Sequence, residues 1–239
     1  MIPLMVFLFA ADANEEAAKK VLAALTRAAQ ANQAAAVPRA GDDLEALLTS
    51  AAARAAQDLP AERRARAFLL AIAIGLDTSA LMRSNPVTWR AWRRIEGDDQ
   101  RKERLRALGR PTLHGRHDLA QHFAVSCGLT VQIGPRAAEA AGVLKEMLDA
   151  QPCGSGFSFA DLAADYSGVA FAEWLLDKPE RLARVKSLQP FCLPPKGLAE
   201  GLSLEAFEKK YGGAKDERFQ AASRKLRERI AGLKPFSEK

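Results

Sequence analysis

The sequence predicts an all-α protein, a multi-helix bundle whose central three-helix block turns polar pairs inward. Three observations predict it. Ala, Leu, Arg, Glu and Lys dominate the composition, and all are good helix formers. Aromatic residues make up only 7% of the chain and β-branched runs are nearly absent, so the usual material of sheets is scarce. Hydrophobic residues reach 48% of 239 residues, enough for the core of one large domain or two small ones.

The elements follow in chain order. Residues 1–13 carry an apolar run, Ile2 to Phe9, followed by Ala11-Asp12-Ala13. That pattern resembles a secretory signal cleaved after Ala13, although it lacks a basic leading segment. Residues 14–110 read as an N-terminal helical region. An alanine-rich helix covers 15–36 and ends near Val37-Pro38. Gly41-Asp42-Asp43 opens a second helix to about Gln57. Pro60 suits the first turn of a third helix, which runs to about Leu76. Ser84-Asn85-Pro86 breaks the chain, and short basic helices follow to Leu108.

Residues 111–189 form the central block. One helix is expected from Gly115 to Ile133, stopped by Gly134-Pro135. A second spans Arg136 to Gln151. After the turn Pro152 to Gly156, a third opens on Ser158-x-x-Asp161, a capping pattern, and runs to about Leu176. A proline-rich connector, Pro190 to Pro195, leads to a tail over 190–239 with helices at Ser203–Tyr211 and Asp216–Ala231.

No apolar run is long enough to span a bilayer, which needs about 20 residues. With the signal removed, the reading is a soluble protein of the periplasm or another extracytoplasmic space. Of the three cysteines, Cys127 sits in a helical stretch and reads as a small core residue. Cys153 and Cys192 lie in loop-like sequence, where an oxidising compartment would let them pair.

The net charge of +6 is concentrated between Arg83 and Arg116, with ten Lys/Arg against four Asp/Glu. Trp89 and Trp92 interleave with Arg90, Arg93 and Arg94. Such a stretch suits an anionic lipid or an envelope polymer, or is simply a solvated helix face. Export makes nucleic acid the least suitable partner.

The chemistry-bearing residues gather in the central block. All three histidines fall between His114 and His122. On a helix, His114, Asp118 and His122 share one face, continued by Ser126. Lys145 and Asp149 share a face of the next helix, with Glu146 adjacent. Asp161 and Asp165 share a face of the third. Small residues, Gly142 and Gly168, permit close helix approach. The remaining faces, including Leu119 and Phe123, Leu144 and Leu148, Leu162 and Val169, read as apolar.

Buried charges must pair or bind an ion. Three readings stay open. The pairs form a salt-bridge network that sets helix register and holds a polar ligand through Glu146, Asp149, Ser155 and Asp161. Or His122 moves protons with Asp118, Lys145 and Asp165 around it. Or His117, His122, Asp149 and Asp165 hold a divalent metal, for which a mixed His/carboxylate set suits Zn or Mn. The run Gly154-Ser155-Gly156 lacks the Lys-Ser/Thr of a phosphate loop and reads as a turn.

The order His117-Asp118-x-Ala120-Gln121-His122-Phe123, Lys145-Glu146-x-x-Asp149, then Gly154-Ser155-Gly156-Phe157-Ser158-Phe159-x-Asp161-Leu162-Ala163-x-Asp165-x-x-Gly168 resembles the YfiM-like family of bacterial periplasmic lipoproteins. More distantly it resembles the VanZ-like membrane proteins. The resemblance covers residues 114–172 and implies an envelope location and a helical hairpin or bundle. It implies no activity beyond an uncharacterised envelope protein, the alternative being a metal- or His-dependent hydrolase of an envelope or phosphorylated substrate. Two features depart from the family pattern. His117-Asp118 stands where the family has Asp-Lys, and the lipoprotein cysteine is absent.

Overall fold

The computed structural model describes residues 2–237, and side chains from residue 13 onward. The expected signal segment therefore lies almost wholly outside the described side chains. Helices dominate, and among the described residues extended pairing is limited to isolated bridges such as Phe157 with Leu202. No helix among them is long and apolar enough to cross a membrane.

The first three helices are α1 (Ile2–Gln33), α2 (Gly41–Gln57) and α3 (Ala61–Leu76). The end of α1 comes three residues earlier than its alanine content predicts. Asn32 closes the connection there, exchanging hydrogen bonds with the backbone N–H and carbonyl of Arg39. Pro60 stands just ahead of α3 with an extended backbone, rather than inside its first turn. α3 is buried on nearly every side from Ala67 to Leu76, which explains why its sequence is apolar all round.

The basic stretch folds as α4 (Leu81–Ser84), α5 (Trp89–Ile95) and α6 (Asp98–Ala107). Much of its charge is spent internally. Arg104 is buried, gripping Glu96 through Nε at 2.6 Å and Nη2 at 3.1 Å. Its Nη1 donates to the carbonyls of Gly75 and Asp77 at the end of α3. Arg83 is also buried and donates to the Glu96 carbonyl and to Asp98. Arg101 donates to the Thr78 and Ser79 carbonyls, and Trp92 is in the core. The exposed remainder includes Arg90, Arg93, Arg106 and Arg110.

The central helices are α7 (His117–Ile133), α8 (Pro135–Asp149) and α9 (Phe159–Asp177). Their bounds match the sequence reading to within two residues. Gly134, at φ 85, makes the corner between α7 and α8, a backbone region that side chains disfavour. The Ser158 hydroxyl accepts the Asp161 N–H and starts α9. α7 lies between α3 and α9, so one core runs through α1, α2, α3, α7 and α9, with Phe68, Phe123 and Phe171 among its largest members. Where α7 meets α9 the backbones nearly touch. A Cβ on Gly168 would lie 2.2 Å from the Phe123 carbonyl oxygen, so only glycine fits.

After α9 the chain makes two 3-10 turns, Pro179–Arg184 and Gln189–Phe191. Glu45, buried on α2, anchors this segment by accepting from Ser187 Oγ at 2.6 Å and Leu188 N–H at 3.0 Å. The tail adds α10 (Leu204–Tyr211), α11 (Glu217–Ala231) and α12 (Lys234–Ser237). Phe157, Phe159, Phe207, Tyr211 and Phe219 form an aromatic cluster, with Phe157 stacked on Phe207 at 4.3 Å. This cluster clamps the start of α9. Two backbone bonds between Phe157 and Leu202 and one from Leu204 N–H to the Ala150 carbonyl hold it to the end of α8.

The cysteines are all free. Cys127 and Cys192 are buried and Cys153 is exposed in its turn. The expected pairing of Cys153 with Cys192 is not made, because Cys192 is packed into the main core.

Candidate functional site

The site is built where α7, α8 and α9 converge. From α7, His122 faces α9 and places Nδ1 3.1 Å from Asp165 Oδ1. One turn on, the Ser126 hydroxyl donates to the same oxygen at 2.8 Å. The helical row His122–Ser126 thus grips one edge of the Asp165 carboxylate. The other edge, Oδ2, is buried and has no hydrogen-bond partner. It faces Gly142 of α8, where a Cβ would sit only 2.7 Å away. Glycine at this position is what lets the carboxylate fit between the two helices.

From α8, Glu146 is 0% exposed. Its Oε2 accepts the Ser158 N–H at 2.9 Å, and its Oε1 faces Lys145 Nζ at 3.1 Å. The Lys145 ammonium also donates to Asp149 at 2.6 Å, toward solvent. From α9, Asp161 Oδ2 lies 3.8 Å from His122 Nε2. Its other oxygen accepts from Arg116 at 3.1 Å. Arg116, just before α7, also makes a forked pair with Asp118 and reaches Glu200.

These neighbours shift the titrations. Burial opposes the charged form of His122, but the Asp165 carboxylate beside it, with Asp161 adding, lifts it to about 9. The imidazole is therefore protonated at neutral pH. Burial pushes Glu146 up to about 7, with Lys145 and His122 pulling the other way. Burial likewise raises Asp161. Asp118 goes down, because Arg116 outweighs its partial burial.

The cluster opens on a cleft of about 430 Å³ between α4, α7 and α8. His122, Ser126, Lys145 and Asp165 line it, as do Asp118 and Asp77. The walls are apolar: Leu81, Met82, Val125, Leu129, Leu144 and Leu148. Leu144 and Leu148, read from the sequence as an apolar face, are 61% and 62% exposed. Among the described residues nothing covers them, and they stand open along the cleft.

The structure brings together His122, Lys145, Glu146, Asp161 and Asp165 from the expected set. It separates the rest. His117 turns away and its Nδ1 lies 2.7 Å from the Pro111 carbonyl, so it leaves the expected metal set. His114 sits in a tight turn at φ 52, with Nε2 on the Cys192 carbonyl. Asp118 pairs with Arg116 rather than with His122, whose partner is Asp165. Asp149 stays at the solvent edge with Lys145, and Glu146 takes its place among the inward donors. Ser155 is exposed in its turn beside Gly201 and Ser203, outside the cluster.

One contributor, Arg116, escaped the sequence reading. It precedes the helix, so helical spacing does not assign it. Glu146 was placed beside the Lys145/Asp149 face, and only the packing of α8 on α9 makes it the most deeply buried acid of the group. Compared with protein-family models, with curated proteins and with solved structures, the chain matches none of them.

Proposed function

We propose that this protein binds a small amphipathic molecule in the cleft between α4, α7 and α8, and does so in the cell envelope. One observation carries the binding reading. The charged end formed by His122, Lys145 and Asp165 opens directly onto walls of leucine, methionine and valine, with Leu144 and Leu148 left uncovered. A concave apolar site with a few convergent polar groups and shifted titrations is the usual form of a small-molecule site, and its volume falls within the customary range of about 300–1,000 Å³. The apolar body of the ligand would cover the two leucines, and its polar head would meet the ammonium and imidazolium. The envelope setting rests on the N-terminal apolar run and on the YfiM-like order of residues in 114–172.

A hydrolase draws less support from this geometry. The Ser126 hydroxyl, one turn on from His122, donates to Asp165. A charged imidazolium at neutral pH is a proton donor and not a general base.

The test uses 1-anilinonaphthalene-8-sulfonate, whose apolar rings and single anionic group match the two halves of the cleft. Saturable fluorescence enhancement by the folded protein is expected, lost in Leu148→Glu and weakened in Lys145→Gln. Enhancement that is equal in Leu148→Glu and the parent would overturn the reading.

A further inference from the structure

We propose that His122, Glu146 and Asp165 form a binding site for one divalent transition-metal ion of the zinc or manganese type. Each comes from a different helix of the central block. One ligand atom from each lies within 4.8 Å of the other two. The proposal goes beyond the cleft reading, since it uses the charged junction of the helices and none of the apolar walls.

Three features carry it. First, Asp165 is only 4% exposed and its Oδ2 has no partner, although a buried polar atom normally has one. Second, Gly142 lets this oxygen approach α8 closely, since a Cβ there would lie 2.7 Å from it. Third, the two carboxylates have their other oxygens already held. Ser126 and His122 hold Asp165 Oδ1, and the Ser158 N–H holds Glu146 Oε2. Such anchoring orients ligands before an ion arrives.

The charges close. One neutral imidazole and two carboxylates supply two negative charges against a dication. The ion needs the neutral ring and the ionised carboxylates, so whatever protons the three ligands carry are released to the buffer on binding. Lys145 Nζ, now 3.1 Å from Glu146 Oε1, gives up that contact and keeps Asp149 at 2.6 Å. In the metal-free protein the ammonium therefore acts as a stand-in cation. Asp161 Oδ2, 3.8 Å from His122 Nε2, is the nearest further oxygen. His117 and Asp149 have no part in the site.

The test is calorimetric titration of the full chain, stripped with a chelator, with Zn²⁺ and separately with Mn²⁺. One ion per chain is expected, with a heat that varies with the buffer's ionisation enthalpy because a proton is released. Glu146→Gln should weaken binding by more than the roughly 10–100-fold that loss of a supporting group produces. His117→Ala should leave affinity unchanged, and Lys145→Gln should raise it. Co²⁺ added to the parent protein should give the visible ligand-field bands of a site with nitrogen and oxygen donors. That measurement needs no variant and stands if Glu146→Gln fails to fold. Absence of these bands together with no saturable heat overturns the proposal, as does affinity unchanged in a folded Glu146→Gln. Dye binding in the cleft can fail while metal binds, and the reverse, so the two readings fall separately.

Discussion

Two regions of this molecule bury charge, and they do it in opposite ways. In the buried pair Arg104–Glu96 every charged atom is answered. The guanidinium holds both oxygens of Glu96 and two carbonyls at the end of α3, and Arg83 adds a further contact to Glu96. At the junction of α7, α8 and α9 one carboxylate oxygen is left without a partner, and an open cleft lies beside it. Both regions are rich in Arg, Asp and Glu, so charge content alone does not separate them. Completeness of the hydrogen bonding does. A saturated cluster fixes architecture, whereas an unsaturated one beside a cavity retains capacity for a ligand or ion.

The sharpest way to break the comparison is to remove the answer in the saturated region. Arg104→Met keeps much of the apolar stem but leaves Glu96 buried without its main partner. A loss of about 3–5 kcal/mol is expected in urea unfolding, the range seen when one member of a buried pair is deleted. A loss of less than about 1 kcal/mol would show that α3 and α6 do not depend on this pair.

Glycine substitutions come next, and they divide the two roles within the central block. Gly168→Ala forces a methyl against the Phe123 carbonyl, where backbone must move, at about 1–3 kcal/mol. Gly142→Ala meets the Asp165 side chain rather than backbone. Its midpoint in urea should shift less than that of Gly168→Ala, while metal binding should suffer far more. Equal ranking of the two variants in both assays would contradict the division.

The smallest expected effect is a pH slope from Glu45. Burial raises its carboxyl above the usual carboxylate range, with Ser187, Thr49 and Leu188 pulling it back. The folded state thus holds its proton more tightly than the unfolded chain. The stability this gives is fully present below the ordinary carboxylate value and is lost as pH rises through the raised one. Unfolding midpoints measured from about pH 4 upward should fall more steeply in the parent than in Glu45→Gln. Parallel curves would exclude Glu45 as the source.

Much of the fold was legible because helix formation here is local. The stop at Gly134-Pro135, the Ser158 cap and the Gly212 that ends α10 act over a few residues, and each falls where the sequence places it. The candidate site was legible in part. The i, i+4 rows identified His122 and Asp165, because residues on one helical face move together. The same rows misdirected His114 and Asp118. The turn at His114-Gly115 and the preceding Arg116 decide those two, and helical periodicity has no information about either.

By itself the sequence determined the helical class, the order of the helices and the block in which polar side chains gather, since propensity, capping and periodicity are near-neighbour effects. Only the tertiary structure decided that Asp165, not Asp118, partners His122, that Glu146 turns inward while Asp149 stays at the edge, and that Leu144 and Leu148 open on a cleft. Those outcomes depend on how closely α7 and α8 can approach α9, and Gly168 and Gly142 set those two distances through contacts between residues far apart in the chain. The clustered histidines end as one: His122 alone enters the charged junction, because the turn ahead of α7 points the other two at backbone carbonyls.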